Sequence, residues 1–284
     1  MFIIESVKDM ANFSENFRVN HPNEKIGFVP TMGYLHEGHI SLIHKAKTIC
    51  KHIVVSIFVN PIQFNDKKDY NLYPRNYDKD KELLKKNNVD VLFMPRKEEV
   101  YEKENPEIII DYPALTKLLC GKNRPGHFQG VLHIVHNLFQ WVKPHAAVFG
   151  LKDYQQFLLI EKMTRDLAFD INIIGAELIR EKDGLALSSR NVRLSDKGRD
   201  KALLISKALF LTKDVWLNNK NTTAAELTAI LNEKMKKLDV EYAGVYCLNS
   251  LDYLSFNEKV EKGLLAVAVK IDGVRLIDNL VLKD

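Results

Sequence analysis

Cysteine is scarce in this 284-residue chain: Cys50, Cys120 and Cys247 are widely spaced and odd in number, which argues against a disulfide framework and for reduced, structural thiols. Long apolar runs are missing as well. None approaches the roughly 20 residues needed to span a bilayer, and the opening MFIIESVKDM has neither the basic start nor the apolar core of a secretory signal. A cytoplasmic protein with no membrane partner is expected. Neither sign of charge dominates, since 41 Lys and Arg stand against 37 Asp and Glu for a net +4. That balance suits small anions, and no stretch is loaded with cations in the way a nucleic-acid partner requires. Repeats and low-complexity tracts are also absent. What remains, 46% hydrophobic and 27% charged residues, is the composition of a globular protein long enough for two cores.

Apolar runs and helical periodicities alternate through the first 176 residues. Strands are expected at 25–29, 53–59, 89–94, 146–149 and 171–174, and helices at 37–52, 78–87, 128–142 and 154–167. This alternation predicts an α/β domain over residues 1–176, with a parallel sheet covered by helices on both faces. Ligands of such sheets gather beyond the carboxyl ends of the strands. Three polar segments leave strands at that end, beginning at Pro30, Asn60 and Gly150. From 177 to 284 the order changes to helices (197–216, 223–238) followed by strands (241–248, 264–271, 274–281), which predicts a smaller α+β C-terminal domain. Asp272-Gly273 between two apolar runs signals a hairpin.

Residues 30–39, PTMGYLHEGH, carry the most chemistry. His36 and His39 stand at a strand-to-helix junction after a Gly33 turn. Backbone N–H groups and the positive end of the helix dipole suit phosphate there, and an imidazole donor can follow charge onto a phosphoryl oxygen. A nucleoside triphosphate is the expected ligand. Two alternatives stand beside it: a histidine that simply caps the helix, and a zinc site, for which no third Cys or His is at hand.

Further segments add to this set. Asn60 and Gln63 offer amides suited to a substrate with hydroxyl and carboxylate groups; alternatively Asn60 caps the strand and Gln63 faces water. Residues 65–77, with Tyr73 near their end, have the polarity of a flap. Arg124 and His127 precede a helix start, an anion-friendly position, whereas His133 and His136 read as ordinary helix residues. Gly150 permits close backbone approach, Lys152 can place a charge on phosphate and Asp153 can accept from ribose hydroxyls or help hold magnesium. Lys-Asp at a helix start is equally a plain cap. Ser188, Ser189 and Arg190 form a compact polyanion clamp that closure of the second domain would carry onto a triphosphate, or else an ordinary linker turn.

Taken in order, PTMGYLHEGH, FVNPIQF, YPR, RPGHFQGV, FGLKDYQQ and DGLALSSRN closely resemble the pantoate–β-alanine ligase (pantothenate synthetase) family over nearly the whole chain. The His-x-Gly-His element alone marks only the wider nucleotidyltransferase superfamily. The resemblance implies a Rossmann-like first domain with a smaller closing domain, usually as a homodimer. It implies ATP-dependent condensation of pantoate with β-alanine through a pantoyl adenylate, with Mg²⁺ assisting. It makes His39 the proton donor, with His36 beside the triphosphate and Lys152 and Arg190 stabilising charge. Met32, Gly33, Tyr34, Leu35, His36, Glu37, Gly38 and His39 would line the ATP site. Gly150, Leu151, Lys152 and Asp153 would meet ribose and phosphate, Ile179 adenine, and Leu187, Ser188, Ser189 and Arg190 the phosphates. Gln63 and Gln156 match the pair that holds pantoate, with Asn60, Tyr73 and Arg124 beside them. Asp80 stands where the family often has an acidic residue near the metal.

The chain departs from the family at Leu151, where an acidic residue or glutamine is usual, and at His133 and Asn137, where threonine and lysine are usual. Two other functions compete with the ligase: a plain adenylyl- or cytidylyltransferase, which would lack the paired glutamines, and a nucleotide-sensing or RNA-binding module, which would have lost the polar reactive set.

Overall fold

The computed structural model describes residues 1–101 and 106–283. The chain divides into two compact units, Met1–Tyr112 with Arg124–Leu151 and Gln156–Glu177 in the first, and Pro113–Asn123 with Lys152–Gln155 and Leu178–Asp284 in the second. Asp284, the last residue of the expected second domain, lies outside the described residues.

Among the described residues the first unit is built on six strands: β1 (Phe2–Ile4), β2 (Ile26–Thr31), β3 (His52–Ile57), β4 (Val91–Phe93), β5 (Ala146–Gly150) and β6 (Asn172–Ala176). Every pairing is parallel, in the order β1-β4-β3-β2-β5-β6. The inner strands are apolar on both faces because helices cover both, and Ile26, Phe28, Val29, Ile53 and Val55 are wholly buried. On one side the Glu37–Lys47 helix packs Ile40 and Ile43 against Val29, Val55 and Val148. Elsewhere the His127–Val142 helix buries Phe139, whose ring meets Phe28 edge-on at 6.4 Å.

The strand order reverses between β2 and β5, where ligand crevices open in such sheets. There the ladder holds only Gly27 to Ala146 and Phe28 to Ala147. Pro30 lies beyond it and has no N–H with which to continue.

Two of the elements beyond the sequence reading open the chain. β1 is a short edge strand with Phe2 exposed, and the Val7–Asn20 helix follows it, capped by Ser6. The helix expected over 37–52 ends instead at Lys47. Apolar spacing continues through Ile49, yet Ile49 is exposed, and Cys50 turns the chain into β3.

The second unit carries the antiparallel sheet β7 (Asp239–Tyr246), β8 (Gly263–Ile271) and β9 (Val274–Leu282). Asp272 (φ 53°) and Gly273 (φ 72°) make the β8–β9 turn, both left-handed as a two-residue hairpin requires. Helices Asp196–Asn218 and Ala224–Met235 supply Leu209, Trp216, Leu227 and Leu231 to a core with Leu265, Val267 and Val269. The Arg180 guanidinium grips the buried Asp278 carboxylate on β9 with two bonds, 2.7 and 2.9 Å, and fastens the 179–187 hairpin to the sheet. All three cysteines are free thiols, and among the described residues no helix is long and apolar enough to cross a membrane.

Candidate active site

The loop that leaves β2 reverses through two consecutive left-handed residues, Gly33 (φ 78°) and Tyr34 (φ 52°). Gly33 has no substitute there: a Cβ would lie 2.9 Å from Ile57 Cγ2 and 3.1 Å from Asp80 Oδ2. For Tyr34 the conformation is strained and needs outside support. Asp80 provides it from the Tyr77–Lys86 helix, its two carboxylate oxygens accepting the Tyr34 N–H at 2.8 Å and the Leu35 N–H at 2.7 Å. Thr31 Oγ1 accepts the Gly33 N–H at 3.1 Å and donates to Ser56 O. Burial pushes the Asp80 carboxyl up, against the pull of those two backbone bonds.

This turn delivers His36 to the N-cap of the Glu37–Lys47 helix. His36 Nδ1 accepts the Gly38 N–H at 3.1 Å, and His39 Nδ1 accepts the His36 N–H at 3.3 Å, a reciprocal capping box made of two imidazoles. Capping and chemistry are therefore not alternatives here. An Nδ1 that accepts leaves the proton of the neutral ring on Nε2, so both rings carry Nε2–H. Their centroids are 4.1 Å apart at a helix N-terminus. The pair is suited to donating to an anion.

Beyond β3, Asn60 and Gln63 are 1% and 8% exposed, so neither faces water. Asn60 opens the 3-10 turn Pro61–Gln63 without capping it by its side chain. Instead Asn60 Nδ2 donates to Gly130 O at 2.9 Å and to Gln63 Oε1 at 3.1 Å, while Tyr101 Oη donates to Asn60 Oδ1 at 2.7 Å. Gln63 Nε2 reaches Met32 Sδ at 3.0 Å. A Cβ on Gly130 would sit 2.9 Å from the Ile62 and Gln63 backbone, so the His127–Val142 helix can approach this turn only through glycine.

Arg124 and His127 serve the same turn. Gln63 O accepts from Arg124 Nη2 at 3.1 Å and from His127 Nδ1 at 2.8 Å, and His127 Nε2 accepts from Arg124 Nη1 at 3.0 Å. Tyr73 is buried edge-on to Phe64, 5.7 Å between centroids, so it anchors its segment.

Gly150 and Leu151 leave β5, and Leu151 spreads over Gly175 of β6, where a Cβ would come within 2.7 Å of Leu151 Cδ2. Of the two adjacent glutamines, Gln155 is structural: it accepts Cys120 N–H at 3.0 Å and donates to Leu115 O and Leu118 O. Gln156 is half-buried.

In the second unit, Lys152 Nζ lies 3.9 Å from Asp153 Oδ2, and Lys152 O accepts from Asn279 Nδ2 at 2.9 Å. Ile179 is exposed on its hairpin, with its carbonyl accepting the Leu187 N–H at 3.0 Å. Ser188 Oγ caps the Ser189–Arg193 turn at Arg190 N, while Ser189 is buried and Arg190 half-buried. Among the described residues no group of three or more His, Cys, Asp or Glu is placed to hold a metal ion. Sequence reasoning did not single out Tyr101, which donates to Asn60, nor the bonds that Asp80 makes to the Tyr34–Leu35 turn.

A family model described as pantoate-beta-alanine ligase matches residues 2–281. The pantothenate synthetase of Thermotoga neapolitana is 42% identical over 285 residues, covering 99% of this chain and 100% of the relative. That of Leptospira interrogans is 45% identical over 261 residues, covering 91% of each. The crystal structure of pantothenate synthetase from Thermus thermophilus superposes with a TM-score of 0.89 at 39% identity, covering 99% of both chains. A Francisella tularensis pantoate-beta-alanine ligase structure, complexed with beta-gamma ATP and beta-alanine, gives a TM-score of 0.80 at 35% identity over 99% of this chain and 97% of that one.

Proposed function

The chain belongs to the pantoate–β-alanine ligase family, and from that premise we propose how its residues join pantoate to β-alanine with ATP as co-substrate. The product is pantothenate. The match along the whole chain sets aside the plain nucleotidyltransferase and the RNA-binding module.

A carboxylate resists an amine because its charge repels the nucleophile and oxide is a poor leaving group. Adenylation removes both obstacles. A pantoate carboxylate oxygen attacks the α-phosphorus of ATP and the bond to pyrophosphate breaks. The β-alanine nitrogen then attacks the acyl carbon and loses a proton, and the carbon–oxygen bond breaks to release AMP. No covalent enzyme nucleophile is required, so positioning and charge stabilisation carry the rate.

One observation carries the assignment of roles: the two Nδ1-bonded imidazoles at the start of a helix beside the β2–β5 crevice. His39 and His36 donate from Nε2 as charge moves onto the departing pyrophosphate. Residues 32–39 and 150–153 bind ATP, with Lys152 and Arg190 offsetting charge at phosphorus. Ile179, Leu187, Ser188 and Ser189 complete the nucleotide contacts. Gln63 and Gln156 hold pantoate, Asn60 orients Gln63 from behind, and Tyr73 and Arg124 fix the walls around them.

Mg²⁺ belongs to this proposal as the companion of the triphosphate. Among the described residues no group of three or more His, Cys, Asp or Glu is placed to hold it, both Asp80 oxygens accept backbone N–H groups, and no step above passes through it. Assembly as a homodimer in the cytoplasm is proposed with the same reading; Ile108 and Ile109, strongly exposed, are apolar surface that a second copy would cover.

Replacing His39 by Ala tests the central role. Turnover is expected to fall roughly 10²–10³-fold, with the fold retained by circular dichroism. Unchanged turnover would remove His39 from the mechanism.

A further inference from the structure

Asn60 is held in one amide orientation. Gly130 O can only accept, so the side-chain nitrogen must face it, and the oxygen then faces Tyr101. Tyr101 is buried, and burial pushes its phenol well up, so its hydroxyl keeps the proton it donates to Asn60 Oδ1. The second Asn60 N–H goes to Gln63 Oε1, which leaves the Gln63 amide able to point only its N–H₂ end away from Asn60. There it meets Met32 Sδ, a weak acceptor that an incoming oxygen can displace at little cost.

The relay therefore has a direction. Each group donates to the next, and the last presents N–H. An oxygen that accepts, whether carboxylate or hydroxyl, is welcome at that point and an ammonium is not. The Tyr101 ring is fixed as firmly as its hydroxyl. It contacts Phe58 on one side, 6.2 Å between centroids, and stacks on His133 at 5.9 Å and 25°. Asn137 Nδ2 holds His133 Nε2 at 3.2 Å, and Asn137 Oδ1 meets His136 Nδ1 at 3.1 Å. The two helix positions that depart from the family pattern thus form the backing of Tyr101.

We propose that Tyr101 is a positioning residue for pantoate: its hydroxyl, together with the Gly130 carbonyl, locks Asn60 so that Gln63 shows the substrate a hydrogen-bond donor. The inference rests on the reading that Gln63 holds pantoate.

The test is the pantoate-dependent exchange of pyrophosphate into ATP by wild type, Tyr101→Phe and Gln63→Ala. Phenylalanine keeps both ring contacts and removes only the hydroxyl. Tyr101→Phe is expected to raise the KM for pantoate roughly tenfold, the effect of leaving one buried acceptor without its donor, while the KM for ATP stays within about twofold. An unchanged pantoate KM, or pantoate and ATP constants that rise together, overturns the proposal. Gln63→Ala separates the two levels. If it raises the pantoate KM and Tyr101→Phe does not, the positioning role alone fails; if it leaves the pantoate KM unchanged, the placement of pantoate fails. Asn60→Asp gives an independent reading, because a carboxylate still accepts from Tyr101 but cannot donate to Gln63 Oε1. It is expected to raise the pantoate KM at least as far, and an unchanged value contradicts the relay.

Discussion

Asp80 holds Tyr34 in a left-handed backbone conformation, its Oδ2 accepting the Tyr34 N–H at 2.8 Å where φ is 52°. Tyr34 lies two residues ahead of His36, so the carboxylate acts on the His36–His39 pair through the turn. Asp80→Asn replaces one acceptor by an N–H₂ group facing a backbone donor. We expect about 1–3 kcal/mol of lost stability and a several-fold higher KM for ATP, read by thermal melting and initial rates. An Asn enzyme with both quantities unchanged would show that the turn holds itself.

Leu151 covers the bare Cα of Gly175. Gly175→Ala drives a methyl into that side chain and should cost about 1–3 kcal/mol. The double variant Gly175→Ala with Leu151→Ala should recover part of the loss, a coupling visible in a double-mutant cycle of denaturation midpoints. Strict additivity would mean that the two side chains do not meet.

His133 sets a pH dependence of stability. Burial lowers its pKa below the ordinary 6.5, His136 adds to the lowering, and a bond to the Ile108 backbone opposes it. The folded value lies below the unfolded one, so the unfolded chain takes up this proton first. The stability is present above the unfolded value and is lost as pH falls through the folded one. Melting temperature should therefore drop as pH falls through and below 6.5, and His133→Gln should flatten that drop. An equally steep profile in the variant would assign the loss to other groups.

The sheet was largely legible in the sequence because buried parallel strands are written as unbroken apolar runs, as in β3. β1 was not, since three residues at an exposed edge leave no pattern. The Val7–Asn20 helix does carry a signal, Ser6 ahead of buried Met10 and Phe17, but the buried polar Ser14 interrupts its apolar stripe. His36 and His39 could be found because their chemistry is contiguous. Tyr101 and the clamping role of Asp80 could not: their partners Asn60 and Tyr34 are 41 and 46 residues away, and only the fold joins them. Adjacency likewise cannot say which of Gln155 and Gln156 is structural. Burial of Gln155 against three backbone groups of the 115–120 segment decides it.

Exchange of labelled pyrophosphate into ATP by the wild-type protein, with pantoate present and β-alanine omitted, tests most directly that the acid is activated before the amine arrives. The account predicts exchange that requires pantoate and proceeds without β-alanine. Exchange that appears only when β-alanine is added, or that needs no pantoate, would contradict it.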